Sequence, residues 1–126
     1  HVLEGDTLDG AHARRTIRVC GPGAFAVLKA LAFRNRAARK DAYDLAYVLR
    51  NVPDGPEGVA DRLAPLRDHP AVKRAVEVLQ EDFGSERETG PRAASAFLLD
   101  ERIDPDYVAG VTGSVQIVLR RLEAAV

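Results

Sequence analysis

The sequence predicts an α+β domain, mostly α, in which a short N-terminal β-strand or hairpin precedes about six helices. Three observations predict it. Apolar residues recur at helical spacing through most of residues 24–122. Glycine and proline clusters punctuate those runs at Gly21-Pro22-Gly23, Val52-Pro53-Asp54-Gly55-Pro56, His69-Pro70, Gly84 and Asp104-Pro105. Only Arg14-Arg15-Thr16-Ile17-Arg18-Val19-Cys20, and less clearly Val2–Leu8, carries the period-two character of a strand.

Taken in order, the Arg14–Cys20 strand turns Ile17 and Val19 inward, and Gly21-Pro22-Gly23 ends it. Proline suits the first helical turn, where its missing N–H is not needed, so a helix opens there and runs from about Ala24 to Arg36. Phe25, Leu28, Leu31 and Ala32 form its expected buried stripe. A second helix begins near Asp41, with Asp41 as its N-cap and Leu45, Val48, Leu49 and Val52 facing inward. The Val52–Pro56 break is the best internal boundary and divides a 1–52 core segment from a 53–126 helical region. Val59, Leu63 and Leu66 mark a third helix, and Val72, Val76, Leu79 and Phe83 a fourth closed by Gly84. Pro91 starts a brief fifth helix holding Phe97 and Leu98. Asp104-Pro105 caps a long last helix bearing Val108, Val111, Val115, Val118, Leu119 and Leu122.

With 126 residues, 46% of them hydrophobic and 29% charged, the chain can bury a core. It contains no eighteen-residue apolar run and no signal-peptide pattern at its start, so no membrane partner is expected. The single cysteine, Cys20, cannot close an internal disulfide and fits a reducing, cytoplasmic setting. The absence of methionine and the mid-domain character of His1-Val2-Leu3-Glu4 make a fragment of a longer protein the expectation, with His1 also compatible with a tag remnant. Residues 1–50 hold nine Lys/Arg against five Asp/Glu (+4), and residues 51–126 nine against fourteen (−5). An anionic partner should therefore meet the first half.

Charge is concentrated in Lys29–Leu45, where Lys29, Arg34, Arg36, Arg39 and Lys40 face only Asp41 and Asp44. Lys29 and Arg36, seven residues apart, project from one helix face. Asp41 and Asp44 occupy the first turn of the next helix, where carboxylates favour the positive end of the dipole. Two readings follow from these residues. One is a solvated, salt-bridged cap. In the other, Lys29 holds a triphosphate and Asp44 positions the lysine or the nucleotide, because phosphoryl-type transfer develops charge that cations must stabilise.

The pattern Lys-x-x-Ala-x-x-x-Arg followed by basic-Asp-x-x-Asp-Leu, carried by Lys29, Ala32, Arg36, Lys40, Asp41, Asp44 and Leu45 with Ile17 and Val19 in the preceding strand, resembles the C-terminal motifs of the AbiEii/MenT-type nucleotidyltransferases. These are toxins of bacterial type IV toxin–antitoxin and abortive-infection systems. The resemblance covers roughly residues 13–50. It implies a polymerase-β-like core with a helical C-terminal part, transfer of a nucleotidyl group from an NTP to an RNA end such as the tRNA 3′ end, Mg²⁺ as cofactor and a cognate antitoxin as partner. It makes Lys29 and Asp44 the catalytic residues, with Arg34, Arg36, Arg39, Lys40 and Asp41 on the nucleotide or RNA phosphates. The family's Gly-Ser motif and its metal-binding carboxylates lie upstream of the matched region and are absent from the chain, so these residues alone should not assemble a two-metal site. The contrasting reading is a non-catalytic helical module that uses the acidic surface of residues 51–126 to bind an antitoxin or another protein.

The remaining features are plainer. Gly21-Pro22-Gly23 lacks the third glycine of a dinucleotide fingerprint and reads as a turn. His1, His12 and His69 share no metal-ligand spacing with one another or with Cys20. The Arg62…His69 spacing resembles that of HEPN ribonucleases, but Pro65 and Pro70 interrupt the helix such chemistry needs. Tyr43, Tyr47 and Tyr107 read as edge-of-core residues, because no basic–aromatic alternation surrounds them.

Overall fold

The computed structural model describes residues 21–124, which form six helices: α1 Pro22–Arg36, α2 Arg39–Asn51, α3 Gly55–Leu63, α4 Pro70–Asp82, α5 Thr89–Leu98 and α6 Pro105–Ala124. A 3₁₀ turn, Ala64–Leu66, follows α3. The chain is thus mostly α, and no strand occurs among the described residues. The expected strands at Val2–Leu8 and Arg14–Cys20, together with His1, His12 and Cys20, lie outside them.

One apolar cluster draws on helices from both sides of the Val52–Pro56 break. Leu45 and Leu49 of α2, Val59 of α3, Val78 of α4 and Val111, Val115 and Val118 of α6 are all buried within it. Within it the fully buried Phe83 meets Phe33 of α1 edge-to-face, with ring centroids 5.3 Å apart, a favoured aromatic arrangement. Gly90 of α5 lies against the face of that ring. A Cβ there would stand 2.5 Å from Phe83 carbons.

The last helix starts as its sequence requires. Asp104 Oδ2 accepts a hydrogen bond from the Tyr107 N–H at 2.9 Å, satisfying a first-turn donor. Ser95, buried in α5, ties the preceding loop by donating to the Arg102 carbonyl at 2.8 Å and accepting from the Asp104 N–H at 2.9 Å.

The first helix departs from expectation. Its buried face is Gly23, Ala26, Val27, Ala30 and Phe33, while Phe25 and Leu28 are exposed. Residues 24–33 are apolar on nearly every side, Lys29 apart, so periodicity alone cannot select the face. Packing selects the small residues, which let neighbouring helices approach. Gly23 sits so close to the end of α3 that an added Cβ would be 3.2 Å from Arg62 Cβ and from a Leu63 methyl. Leu66, which with Val59 and Leu63 marked the third helix, falls in the 3₁₀ turn after it and is exposed; Phe97 and Leu98 of α5 are exposed too, since that helix turns Ala94, Ser95 and Ala96 inward.

The corner between α1 and α2 is only two residues long. Ala37 adopts a left-handed conformation at φ 54°, and its N–H donates to the Phe33 carbonyl at 2.7 Å. This closes α1 with an αL cap and returns the chain at once into α2, setting the two helices side by side. That corner positions the charged segment.

Candidate functional site

The N-cap of α2 is Ala38, with no side-chain cap, so Asp41 is the third helical residue rather than the cap expected from sequence. Freed from capping, its side chain turns to α1 and is 1% exposed. Asp41 Oδ2 accepts from Arg36 Nε at 2.7 Å, and Oδ1 accepts from the second Arg36 nitrogen at 3.0 Å, a bidentate fork. Lys29 Nζ completes the set at 3.4 Å from Oδ1.

Asp44, one turn further along, receives Lys29 Nζ at 2.9 Å and Lys40 Nζ at 2.9 Å on the same oxygen, Oδ2. Lys29 therefore bridges both carboxylates across the hairpin. Its side chain is 21% exposed and that of Asp44 16%, so the pair sits at the rim of the network while Asp41 lies beneath it. The ammonium also lies 5.4 Å from the centroid of the exposed Phe25 ring, a cation–π contact that holds its approach to the carboxylates.

These contacts shift the titrations coherently. Burial pulls the Lys29 ammonium down, but the hydrogen bonds and charges of Asp44 and Asp41 more than offset it, and its pKa is raised. The Arg36 fork lowers Asp41 against the opposing effect of burial, with help from Lys29. Burial pushes Asp44 up, yet Lys29 and Lys40 together bring it below its ordinary value. Each of the three groups is held in its charged form.

The structure thus gathers Lys29, Arg36, Lys40, Asp41 and Asp44 into one cluster of three cations and two anions. Two sequence candidates point elsewhere. Arg34 reaches α4, bonding Glu81 at 2.8 Å and Asp82 at 3.1 Å, and Arg39 pairs with Glu101 in the loop after α5. Each partner lies 47 or more residues away in sequence, and no local pattern announces it.

Among the described residues no group of three His, Cys, Asp or Glu is arranged to hold a metal. Asp41 and Asp44 each face two cationic side chains, whose charge opposes a divalent cation, so this pair does not fit the Mg²⁺ implied by the family resemblance. His69 is occupied structurally: its Nδ1 accepts the Ala71 N–H at 3.1 Å and caps α4. Pro65 lies in the 3₁₀ turn between Arg62 and His69, so the two are not presented from one helix. No helix of the described residues is long and apolar enough to cross a membrane.

A second cluster escaped sequence reasoning. Tyr43, Tyr47 and Arg50 follow one another at i, i+4 and i+7 on α2, beside Phe97 and Leu98 of α5 and Tyr107 of α6. The Tyr43 ring lies 5.2 Å from Phe97 and 6.1 Å from Tyr47, centroid to centroid. The spacing on α2 was visible in the sequence, but the residues from α5 and α6 that complete the wall come 47 or more positions after Arg50.

The chain matches no protein-family model, no curated protein and no solved structure.

Proposed function

We propose that the chain is the C-terminal helical part of a nucleotidyltransferase of the AbiEii/MenT type, which transfers a nucleotidyl group from an NTP to an RNA end such as the tRNA 3′ end. The observation that carries this reading is the Lys29–Asp44 contact, 2.9 Å across the α1–α2 hairpin and at the rim of its network. An ammonium held charged by a carboxylate can exchange that partner for a phosphate oxygen without crossing a protonation step. Lys29 takes the triphosphate in this reading, Asp44 orients the lysine, and Asp41, buried beneath them, fixes Arg36. Lys40 and Arg36, both largely exposed, add positive potential at the rim, while Arg34 and Arg39 act through the local field because their guanidinium groups are engaged by Glu81, Asp82 and Glu101. Magnesium and the chemistry of the attacking hydroxyl belong to upstream parts of such an enzyme, with the cytoplasm as its setting.

The test uses a longer parent polypeptide that carries the Gly-Ser motif. Lys29→Ala and Asp44→Ala should each lower the rate of nucleotide transfer by about 10²-fold or more, the scale of losing one preorganised electrostatic contact. Arg121→Ala, which removes only the surface pair with Asp61, should leave the rate unchanged. Unchanged transfer in both Lys29→Ala and Asp44→Ala refutes the assignment.

The second reading, a helical module that binds an antitoxin, draws on the excess acidic charge of residues 51–126 and on the exposed Phe25 and Leu28 of α1. A Gly-Ser motif followed by spaced aspartates within the preceding hundred or so positions of the parent gene favours the enzyme. Its absence favours the module.

A further inference from the structure

The aromatic cluster on α2, α5 and α6 surrounds a cavity of about 250 Å³ lined by Tyr43, Tyr47, Arg50, Asn51, Leu98 and Tyr107. Tyr47 is 54% exposed and stands at the mouth of this concavity. Arg50 makes a cation–π contact with Tyr107, its guanidinium carbon 5.3 Å from the ring centroid. Gly110 of α6 makes room for it, since a Cβ there would come within 3.3 Å of the same carbon. Unlike a carboxylate fork, a contact with an aromatic ring leaves guanidinium N–H donors for a ligand. Among the described residues no carboxylate pairs with Arg50, whereas Arg34, Arg36, Arg39, Lys29 and Lys40 all have one.

We propose that this concavity binds a nucleobase together with its adjoining phosphate, the base stacking on Tyr47 and Tyr43 and the phosphate meeting Arg50. Two properties select this ligand. Open aromatic faces accept any base, and an arginine with free donors beside them takes the phosphate. The volume lies just under the ~300 Å³ at which pockets begin to take drug-sized ligands, which suits one planar ring and not a whole dinucleotide. A carboxylate on an acidic peptide would engage Arg50 but leave the ring faces unused. The inference stands apart from the transferase reading, because base binding needs no transfer to occur.

The chain has three tyrosines and no tryptophan, and all three tyrosines line this cavity, so intrinsic fluorescence reports on the site directly. The 126-residue protein is titrated with single-stranded hexauridylate, with UMP and with a glutamate-rich peptide, while tyrosine emission and the anisotropy of a fluorescein-labelled hexauridylate are followed. Saturable quenching by the oligonucleotide is expected. Tyr47→Ala should weaken binding about tenfold (~1.4 kcal/mol), with Tyr47→Phe restoring it. Arg50→Gln should weaken it and flatten the dependence of log K on log salt by about 0.7. UMP competing at similar concentration identifies a free nucleotide as the ligand; oligonucleotide binding without UMP competition identifies a nucleic-acid strand. Both positions are exposed, and unchanged far-UV circular dichroism confirms that each variant folds. The proposal is overturned if neither nucleotide ligand gives a saturable response, if Tyr47→Ala and Arg50→Gln bind as the parent does, or if the peptide alone is bound.

Discussion

Replacing Asp41 with asparagine removes one charge from a nearly inaccessible position while keeping the side chain's shape. Three hydrogen bonds converge on the carboxylate, at 2.7, 3.0 and 3.4 Å. Breaking a buried ion pair by deleting one partner costs about 3–5 kcal/mol, because the other charge is stranded. Here the stranding is partial. The Arg36 side chain is 64% exposed and can rehydrate, and Lys29 keeps Asp44, so a loss of about 2–3 kcal/mol is expected. Urea unfolding at pH 7, followed by circular dichroism, measures it. The effect should also depend on pH in one direction. Because the folded-state pKa of Asp41 is lowered, its contribution is fully present above the ordinary carboxylate range and is lost as pH falls through the folded value. The stability gap between parent and Asp41→Asn should therefore narrow below about pH 4. Lys29 behaves oppositely: its raised pKa makes its contribution complete below the ordinary lysine value and lost only as pH rises through the folded one. A cost under about 0.5 kcal/mol at pH 7, the scatter of ordinary surface substitutions, or a gap that is the same at pH 7 and pH 3, refutes the account of Asp41 as a buried electrostatic anchor.

Two further predictions concern packing. Gly113 of α6 has nothing within 4 Å of where a Cβ would stand, so Gly113→Ala should stabilise the fold by about 0.5–1 kcal/mol, whereas Gly90→Ala, driven into the Phe83 ring, should destabilise it by about 1–3 kcal/mol; denaturant midpoints compare them. Thr112 has a buried hydroxyl with no hydrogen-bond partner among the described residues, so Thr112→Val should be neutral or raise stability by up to about 1 kcal/mol, and a clear loss would show that the hydroxyl is satisfied.

How much of this was legible in the sequence depends on the element. The valine ladder of α6 and its Asp104 cap read correctly because the apolar residues fill one face and a polar residue with the right geometry precedes them. The stripe on α1 was misplaced because a helix apolar on most sides carries no phase information; only its neighbours, through Gly23, Ala26 and Ala30, decide which side is covered. Lys29 and Asp44 were foreseeable as neighbours, since a short corner makes consecutive helices adjacent. The diversion of Arg34 to α4 and of Arg39 to Glu101 was not, because such partners are set by tertiary packing. Asp41 looked like a cap on type and position, and the fold spends that carboxylate on Arg36 instead.

The left-handed Ala37 has a consequence for chain length as distinct from chain chemistry. With only Ala37 and Ala38 between the helices, the backbone itself is the ruler that sets the ammonium opposite the two aspartates. One inserted residue there would add up to about 3.5 Å of chain to the corner, enough to part contacts that now close at 2.9 Å. Substitutions that accept the left-handed conformation at Ala37 leave that gauge intact, while insertions and deletions change its length. Variants that differ in length at this hinge should have surrendered whatever the paired charges do, even with every charged residue still in place.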